Sequence, residues 1–280
     1  MLSYQHGFHA GNFADVHKHL ILTLLLQSLN RKAKPWSYLE THGGRARYDL
    51  SSEQALKTGE FRDGIARLWQ QPVPEAVQGY LEQVAEVNAG AALNTYPGSP
   101  LLAAQLAREA DCINIMELHP AEAEALKQVF RQDERVAVHH RDGYEGVLAL
   151  LPPRPNRGVV LVDPSFEVKQ EYQQLVRFID KAYRRWPIGC FAIWYPLLPA
   201  NQWQQMKEAL VATGIRKILC SELEVAPGDG ERGMYGSGML VINPPWQLDQ
   251  TLAAVSPWLV EQLQAGAGSG RWRLDWLVPE

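Results

Sequence analysis

A chain of 280 residues with 46% hydrophobic content is long enough for one large domain, or one domain with an insert. Its formal charge of −4 excludes a global basic footprint, so any nucleic-acid surface must be a local patch. Three cysteines, Cys112, Cys190 and Cys220, lie within or beside apolar runs, and neither a leader-like start nor a membrane-length apolar stretch is present, so a reduced, soluble, cytoplasmic protein is expected.

The first segment, Tyr4 to Asn12, is punctuated by glycine and rich in aromatic and imidazole groups. Asn12 and Asp15 read as a helix cap and its partner, and Val16, Leu20 and Leu24 with Ile21 and Leu25 give a helical face through Leu29. Five of the eight histidines precede residue 43. They do not join a cysteine or carboxylate at a familiar ligand spacing, and His17 and His19 point to different helix faces, so no metal site is expected. The run Ser37–Thr41 predicts the first strand, followed by a glycine turn, His42-Gly43-Gly44-Arg45, where open α/β folds bring backbone towards a cofactor. A strand-to-helix loop takes roughly 2–6 residues, whereas regular alternation resumes only near Pro97-Gly98-Ser99-Pro100. Residues 49–95 therefore read as a small helical insert, dividing the domain into 1–48 and 96–280.

Strands and helices then alternate: strand 112–116 ending in Glu117, a helix from Pro120, strand 135–139, and a helix after Arg141-Asp142-Gly143. The run Gly158-Val159-Val160-Leu161-Val162 reads as a strand buried on both faces, and it delivers Asp163-Pro164-Ser165-Phe166 to the carboxyl end of the sheet. Helices at 170–185 and 200–212 flank strand 189–194, and strands 217–224 and 239–242 form an antiparallel hairpin expected at one edge. Glu117 and Asp142, at successive strand ends, suit the ribose hydroxyls and adenine amine of S-adenosylmethionine.

Asp163-Pro164-Ser165-Phe166 is similar to the Asp/Asn-Pro-Pro-aromatic signature of enzymes that methylate exocyclic amines of nucleobases. Such an amine is a poor nucleophile because its lone pair is delocalised into the ring. A carboxylate oxygen and a backbone carbonyl that accept its two hydrogens turn the lone pair towards the methyl donor. The aromatic, here Phe166, stacks on the extruded base, a contact worth about 1–3 kcal/mol. Asn243-Pro244-Pro245-Trp246 matches the signature better letter by letter, but it follows the last strand of the alternation, away from the central crevice. Asp163 is therefore the favoured centre, and Asn243 a strand-ending turn.

Across its length the chain resembles the bacterial 23S ribosomal RNA adenine methyltransferases of the J type. The resemblance rests on Phe8-His9-Ala10-Gly11-Asn12, Thr41-His42, Tyr96-Pro97-Gly98-Ser99-Pro100, Glu117-Leu118-His119-Pro120, Gly214–Ile218 and Ser237–Trp246. It implies a Rossmann-like class I fold with a helical insert after the first strand. The implied reaction is methyl transfer from S-adenosylmethionine to the N6 amine of one adenine in naked 23S ribosomal RNA. No obligate protein partner is evident, and a monomer is expected. By position it implies cofactor contacts from His19, His42, Ser99, Glu117, Asp142, Gly143 and Asp163, catalysis by Asp163 with Phe166, and RNA contacts from Tyr4, His6 and Lys18. The glycine-punctuated arm that carries them into the first helix is expected to cross the mouth of the crevice. The chain departs from the family pattern at Gly43, Arg45, Ala46, Ser165 and Phe166; Arg45 is expected to add bulk beside the cofactor, and Ala46 stands where glycine's conformational freedom is usual. From the residues alone, a DNA amino-methyltransferase or a weakened enzyme that retains RNA binding remain alternatives.

Overall fold

The computed structural model describes residues 5–90, 92–228 and 233–280. A short 3-10 turn, His6–Phe8, precedes helix α1, Phe13–Asn30, which Asn12 caps by accepting from the Asp15 N–H as the sequence predicts. Strand β1 (Ser37–Glu40) follows, then β2 (Arg47–Asp49), α2 (Glu53–Thr58), α3 (Glu75–Val87), β3 (Thr95–Pro97) and α4 (Ser99–Leu106). The regular alternation comprises β4 (Cys112–Glu117), α5 (Pro120–Phe130), β5 (Val136–His140), α6 (Gly143–Leu150), β6 (Gly158–Val162), α7 (Glu171–Arg185), β7 (Cys190–Leu197) and α8 (Gln202–Ala212). The chain closes with β8 (Ile218–Glu224), β9 (Gly236–Ile242), α9 (Leu248–Leu263) and β10 (Arg271–Val278).

One eight-stranded sheet carries the fold, in the order β10-β8-β9-β7-β6-β1-β4-β5. From β5 to β7 the strands are parallel, and every residue of β1 and β6 is buried, as unbroken apolar strands covered on both faces require. One core lies between the sheet and α1, α3, α5 and α9; the other lies between the sheet and α6, α7 and α8. This is the doubly wound, Rossmann-like arrangement that the alternation implies.

Two features of the sheet differ from expectation. The β8–β9 hairpin does not form the edge: β9 pairs with both β7 and β8, and the run 271–278, which carries no strong pattern of its own, adds β10 outside β8. Since β9 runs against β7, Ile242 lies beside Phe191 at the amino end of β7, so Asn243 is carried to the pole opposite the strand-carboxyl ends. There its side chain donates to the Pro187 and Gly189 carbonyls, and Trp246 is 83% exposed. The better-spelled motif is thus a turn, because of strand direction and not because it sits on an edge. Cys112, the first residue of β4, is half-buried, whereas Cys190 and Cys220 are buried.

The insert is closed by a two-stranded ribbon in which Tyr48 faces Tyr96 across β2 and β3, straddling the limits drawn at 48/49 and 95/96. Its helix α3 packs on α1, and the Tyr80 hydroxyl meets that of Tyr96 at 2.8 Å. Its amino-terminal part holds the arm: Gln54 donates to the Gln5 side chain at 2.6 Å, Ile65 N–H donates to the Gly11 carbonyl, and Glu60 accepts from Asn12. Gly64 makes this approach possible, since a Cβ there would lie 2.1 Å from the Gly11 carbonyl oxygen.

Helix α1 is tied to the antiparallel half of the sheet by His17, whose ring nitrogens lie 3.0 Å from Ser237 Oγ and 3.0 Å from Ser221 Oγ. Burial drives the His17 pKa down to about 3, so the ring is neutral. As pH falls from about 6.5 towards 3, the unfolded chain takes up a proton that the folded chain refuses, and stability declines through that window. His17→Leu should lessen this acid sensitivity and, by stripping buried hydroxyls of a partner, cost about 1–3 kcal/mol at neutral pH in denaturant unfolding. An unchanged midpoint at both pH values would show that the ring does not hold the helix.

Candidate active site

Parallel neighbours in register bring their carboxyl ends together: Glu40 stands beside Ile115 of β4 and Leu161 of β6. Above these ends, and under the arm and the first turns of α1, lies a cavity of about 390 Å³. His6, Lys18, His19, His42, Ser99, Glu117, Asp142, Gly143, Asp163 and Phe166, the expected site residues within the described part of the chain, all line it. Tyr4 lies outside the described residues.

The geometry centres on one ammonium. Lys18 Nζ lies 2.5 Å from Asp163 Oδ2 and 2.9 Å from Asp15 Oδ1, with the lysine only 4% exposed. Burial opposes this charge, but the two carboxylates outweigh it and hold the pKa above its ordinary value. Asp15 is likewise buried, and His6 and Lys18 overcome that burial to keep its carboxyl well below the usual range. Asp15 also accepts from the Gly11 N–H at 2.8 Å and lies 2.9 Å from His6 Nε2, so the arm and the lysine share one anchor. Lys18, expected at the RNA, is thus turned inwards onto Asp163. The other carboxylate oxygen of Asp163, Oδ1, meets no donor among the described residues.

At the end of β4, Glu117 Oε2 accepts from Gly44 N–H at 2.8 Å and Oε1 from His119 N–H at 2.7 Å, which fixes the glycine turn. Asp142 caps α6 through the Glu145 N–H. Gly143 abuts β1 so closely that a Cβ would lie 1.9 Å from the Thr41 carbonyl oxygen. His42 Nδ1 lies 2.8 Å from Thr41 Oγ1, and burial lowers its pKa to about 4, keeping it neutral. His19 Nδ1 meets the Tyr96 hydroxyl at 2.7 Å, while its Nε2 is buried without a hydrogen-bond partner. An orphaned imidazole nitrogen, a glycine cradle and strand-end carboxylates suit an adenosyl group with its two ribose hydroxyls and amine, so the residues fit S-adenosylmethionine.

Phe166 adopts φ +53°, the left-handed region that bulky residues avoid. Its ring packs 4.5 Å from Tyr172 and 6.0 Å from Trp194 by centroids. Arg45 does not fill the cavity: its guanidinium forms a two-pronged pair with Glu122, at 2.8 and 2.5 Å, on the first turn of α5.

Three contributors carry little signal in the sequence. Asp15 has the pattern of a cap partner, and its spacing three residues before Lys18 also puts the two on one helix face. Trp194 ends inside a strand run, and the bond that orients it, from its indole N–H to Ser237 Oγ at 3.0 Å, crosses strands. Glu40 was counted as strand. It is fully buried, shares a 2.5 Å hydrogen bond with Ser99 Oγ and accepts from the Tyr38 hydroxyl at 2.9 Å.

A mostly parallel, doubly wound sheet with carboxylates at adjacent strand ends around one cavity is the Rossmann-like fold of class I methyltransferases, and the family matches supply the activity. The family is equally plain. The family model "Ribosomal RNA large subunit methyltransferase D, RlmJ" matches residues 33–278. Ribosomal RNA large subunit methyltransferase J of Escherichia coli (strain K12) is 47% identical over 281 residues, and that of Haemophilus influenzae (strain ATCC 51907 / DSM 11121 / KW20 / Rd) 45% over 282, each covering 100% of both chains. The crystal structure of protein LPL1258 from Legionella pneumophila str. Philadelphia 1 superposes with a TM-score of 0.88 at 34% identity, covering 95% of this chain and 98% of that one. The chain belongs to this family of large-subunit ribosomal RNA methyltransferases.

Burial raises the Glu40 carboxyl to about 8, so the folded protein binds a proton there that the unfolded chain releases near 4.5. Stability is greatest below that range and erodes as pH rises from about 4.5 through 8. Glu40→Gln, which mimics the neutral acid, should be tolerated and should flatten this alkaline decline by about 1–3 kcal/mol in unfolding experiments between pH 6 and 9. A variant whose stability tracks the parent at both pH values would show that Glu40 titrates normally.

Proposed function

We propose that the protein transfers a methyl group from S-adenosylmethionine to the N6 amine of one adenine in 23S ribosomal RNA, with Asp163 at the reacting amine. The observation that carries this reading is Asp163 itself: it ends the central strand, one oxygen is tied to Lys18, and the other is open to the cavity. The bound cofactor supplies an electrophilic methyl group. The rest is done by the chain. Asp163 Oδ1 and the Pro164 carbonyl accept the two amine hydrogens and turn the lone pair outwards. Hydrogen bonds of this kind strengthen as positive charge develops on the nitrogen, so they act on the transition state. Lys18 fixes the carboxylate's rotation and acts on the substrate through it, while His6 and Tyr4 on the arm contact the RNA. Phe166 presents a stacking face to the base.

Glu117 takes the ribose hydroxyls and Asp142 the adenine amine of the cofactor, with His19, His42, Ser99 and Gly143 around it. The neutrality of His42 matters here, because an imidazolium at that wall would repel the sulfonium. Ser165 replaces the usual second proline, and Phe166 keeps its aromatic face, so the departures leave the acceptors in place.

A methyl-transfer assay on unmodified 23S ribosomal RNA tests the assignment. Asp163→Ala should lower kcat by orders of magnitude while calorimetric affinities for cofactor and RNA stay within a few-fold. Lys18→Met should also lower kcat, since Asp163 would lose its orienting partner. Asn243→Ala should cost about 1 kcal/mol of stability and little activity. An active Asp163→Ala with a dead Asn243→Ala would move the catalytic centre to the other motif. Unchanged adenine methylation in 23S ribosomal RNA from a deletion strain would refute the substrate.

A further inference from the structure

Helix α7 begins at the lip of the cavity, where Glu171 and Gln174 in its first turn line the wall. Its outer face carries Gln173, Arg177, Lys181 and Arg184, which fall on one side of the helix at three- and four-residue spacing. Lys169, just before it, is exposed as well. Several arginines of this protein are spoken for: Arg45, Arg67, Arg108 and Arg135 each pair with a carboxylate, and Arg157 donates to backbone carbonyls. Lys169, Arg177 and Lys181 make no ion pair or hydrogen bond among the described residues, and they lie in file from the lip of the cavity.

The acids nearby do not neutralise them. Asp180 is paired with Arg184 at 3.0 Å, and Glu171 accepts from the Tyr144 hydroxyl at 3.2 Å. Glu167 is the one exposed acid in the loop beside them. Like charges one turn apart, as at Arg177 and Lys181, destabilise a helix. The helix dipole explains Arg184 and Arg185 in the last turn but not a cation at mid-helix. In a chain of net charge −4, a file of unpaired cations that starts at the cavity is a local electropositive track.

We propose that this face of α7 binds the phosphate backbone of the RNA that flanks the target adenine, with Lys169, Arg177 and Lys181 as the contacts. The track runs away from the cavity at about 1.5 Å per residue, so Lys181 engages backbone roughly 10 Å beyond Gln174. This rests on the RNA methyltransferase reading and adds the side from which the strand enters. Contacts of this kind carry no base information; they set register and affinity.

The test compares three proteins on unmodified 23S ribosomal RNA: the parent, a variant with Lys169→Gln, Arg177→Gln and Lys181→Gln, and a control with Arg31→Gln, Lys32→Gln and Lys34→Gln. The control cations follow α1, at the amino ends of the strands. All six side chains are exposed, so each protein should fold, with circular dichroism and melting unchanged. For the α7 variant, KM for RNA should rise at least tenfold with kcat within twofold, and cofactor affinity should be unchanged. The slope of log affinity against log salt should shrink by about two, at roughly 0.7 per lost contact to single-stranded RNA. The control should match the parent. An α7 variant with parental KM and salt slope overturns the proposal and leaves the reaction standing, as does a control weakened to the same extent. If the parent itself neither binds nor methylates the RNA, the functional reading falls and takes this inference with it.

Discussion

The structure depends on the charge held between α1 and the end of β6. A lysine ammonium taken out of water costs several kcal/mol unless it is matched, and removing one partner from such a buried set typically costs about 3–5 kcal/mol. Lys18 is matched twice, by Asp15 on its own helix and by Asp163 on the central strand. The arrangement closes in only one position of the helix relative to the sheet, because the reach of a lysine side chain and the direction of both carboxylates must agree. Asp15 extends the constraint to the arm through His6 and the Gly11 N–H. Helix position, arm position and the rotation of the Asp163 carboxylate are therefore one variable.

Strand direction decides which chemistry-bearing residues meet. The five parallel strands send Glu40, Glu117, Asp142 and Asp163 to one pole, and the antiparallel β9 sends Asn243 to the other. Burial keeps His42 neutral and Glu40 protonated near pH 7. Lys18 balances part of the charge of Asp15 and Asp163, and Glu117 faces the same cavity from the end of β4.

Much of this was readable in the chain, where the signal was local. The apolar run at 158–162, the Asn12 cap and the acids at strand ends are each consequences of a few adjacent residues, and they placed the sheet and the cavity. What was not readable depends on partners far away in sequence. The strand at 271–278 has an exposed, weakly patterned sequence and exists because the outer edge of β8 needed covering. The ribbon of β2 and β3 needs two three-residue segments that only pair across the insert. Arg45 looked like bulk beside the cofactor because its carboxylate, Glu122, lies on another helix. At Ala46, where glycine was the expectation, the residue does take φ +63° and is wholly buried. The left-handed conformation costs about 1–2 kcal/mol and burial of the methyl offsets roughly 0.8, so the substitution is tolerable without being free.

The bonds that seat α1 also set the order in which the protein can be built. Its partners are remote: Asp163 lies 145 residues from Lys18, and Ser237 lies 220 residues from His17. A ribosome delivers α1 first, long before β6 or β9 exists. Until then the helix has nowhere to put an ammonium, a carboxylate and two imidazoles on faces that end up buried. They must stay hydrated and α1 undocked, and closing loops of that length is slow compared with helix formation. The cavity, whose walls come from both halves of the chain, cannot exist on a nascent fragment. A methyltransferase of this construction acquires its site in a late step, when the antiparallel strands are in place and the first helix finally docks.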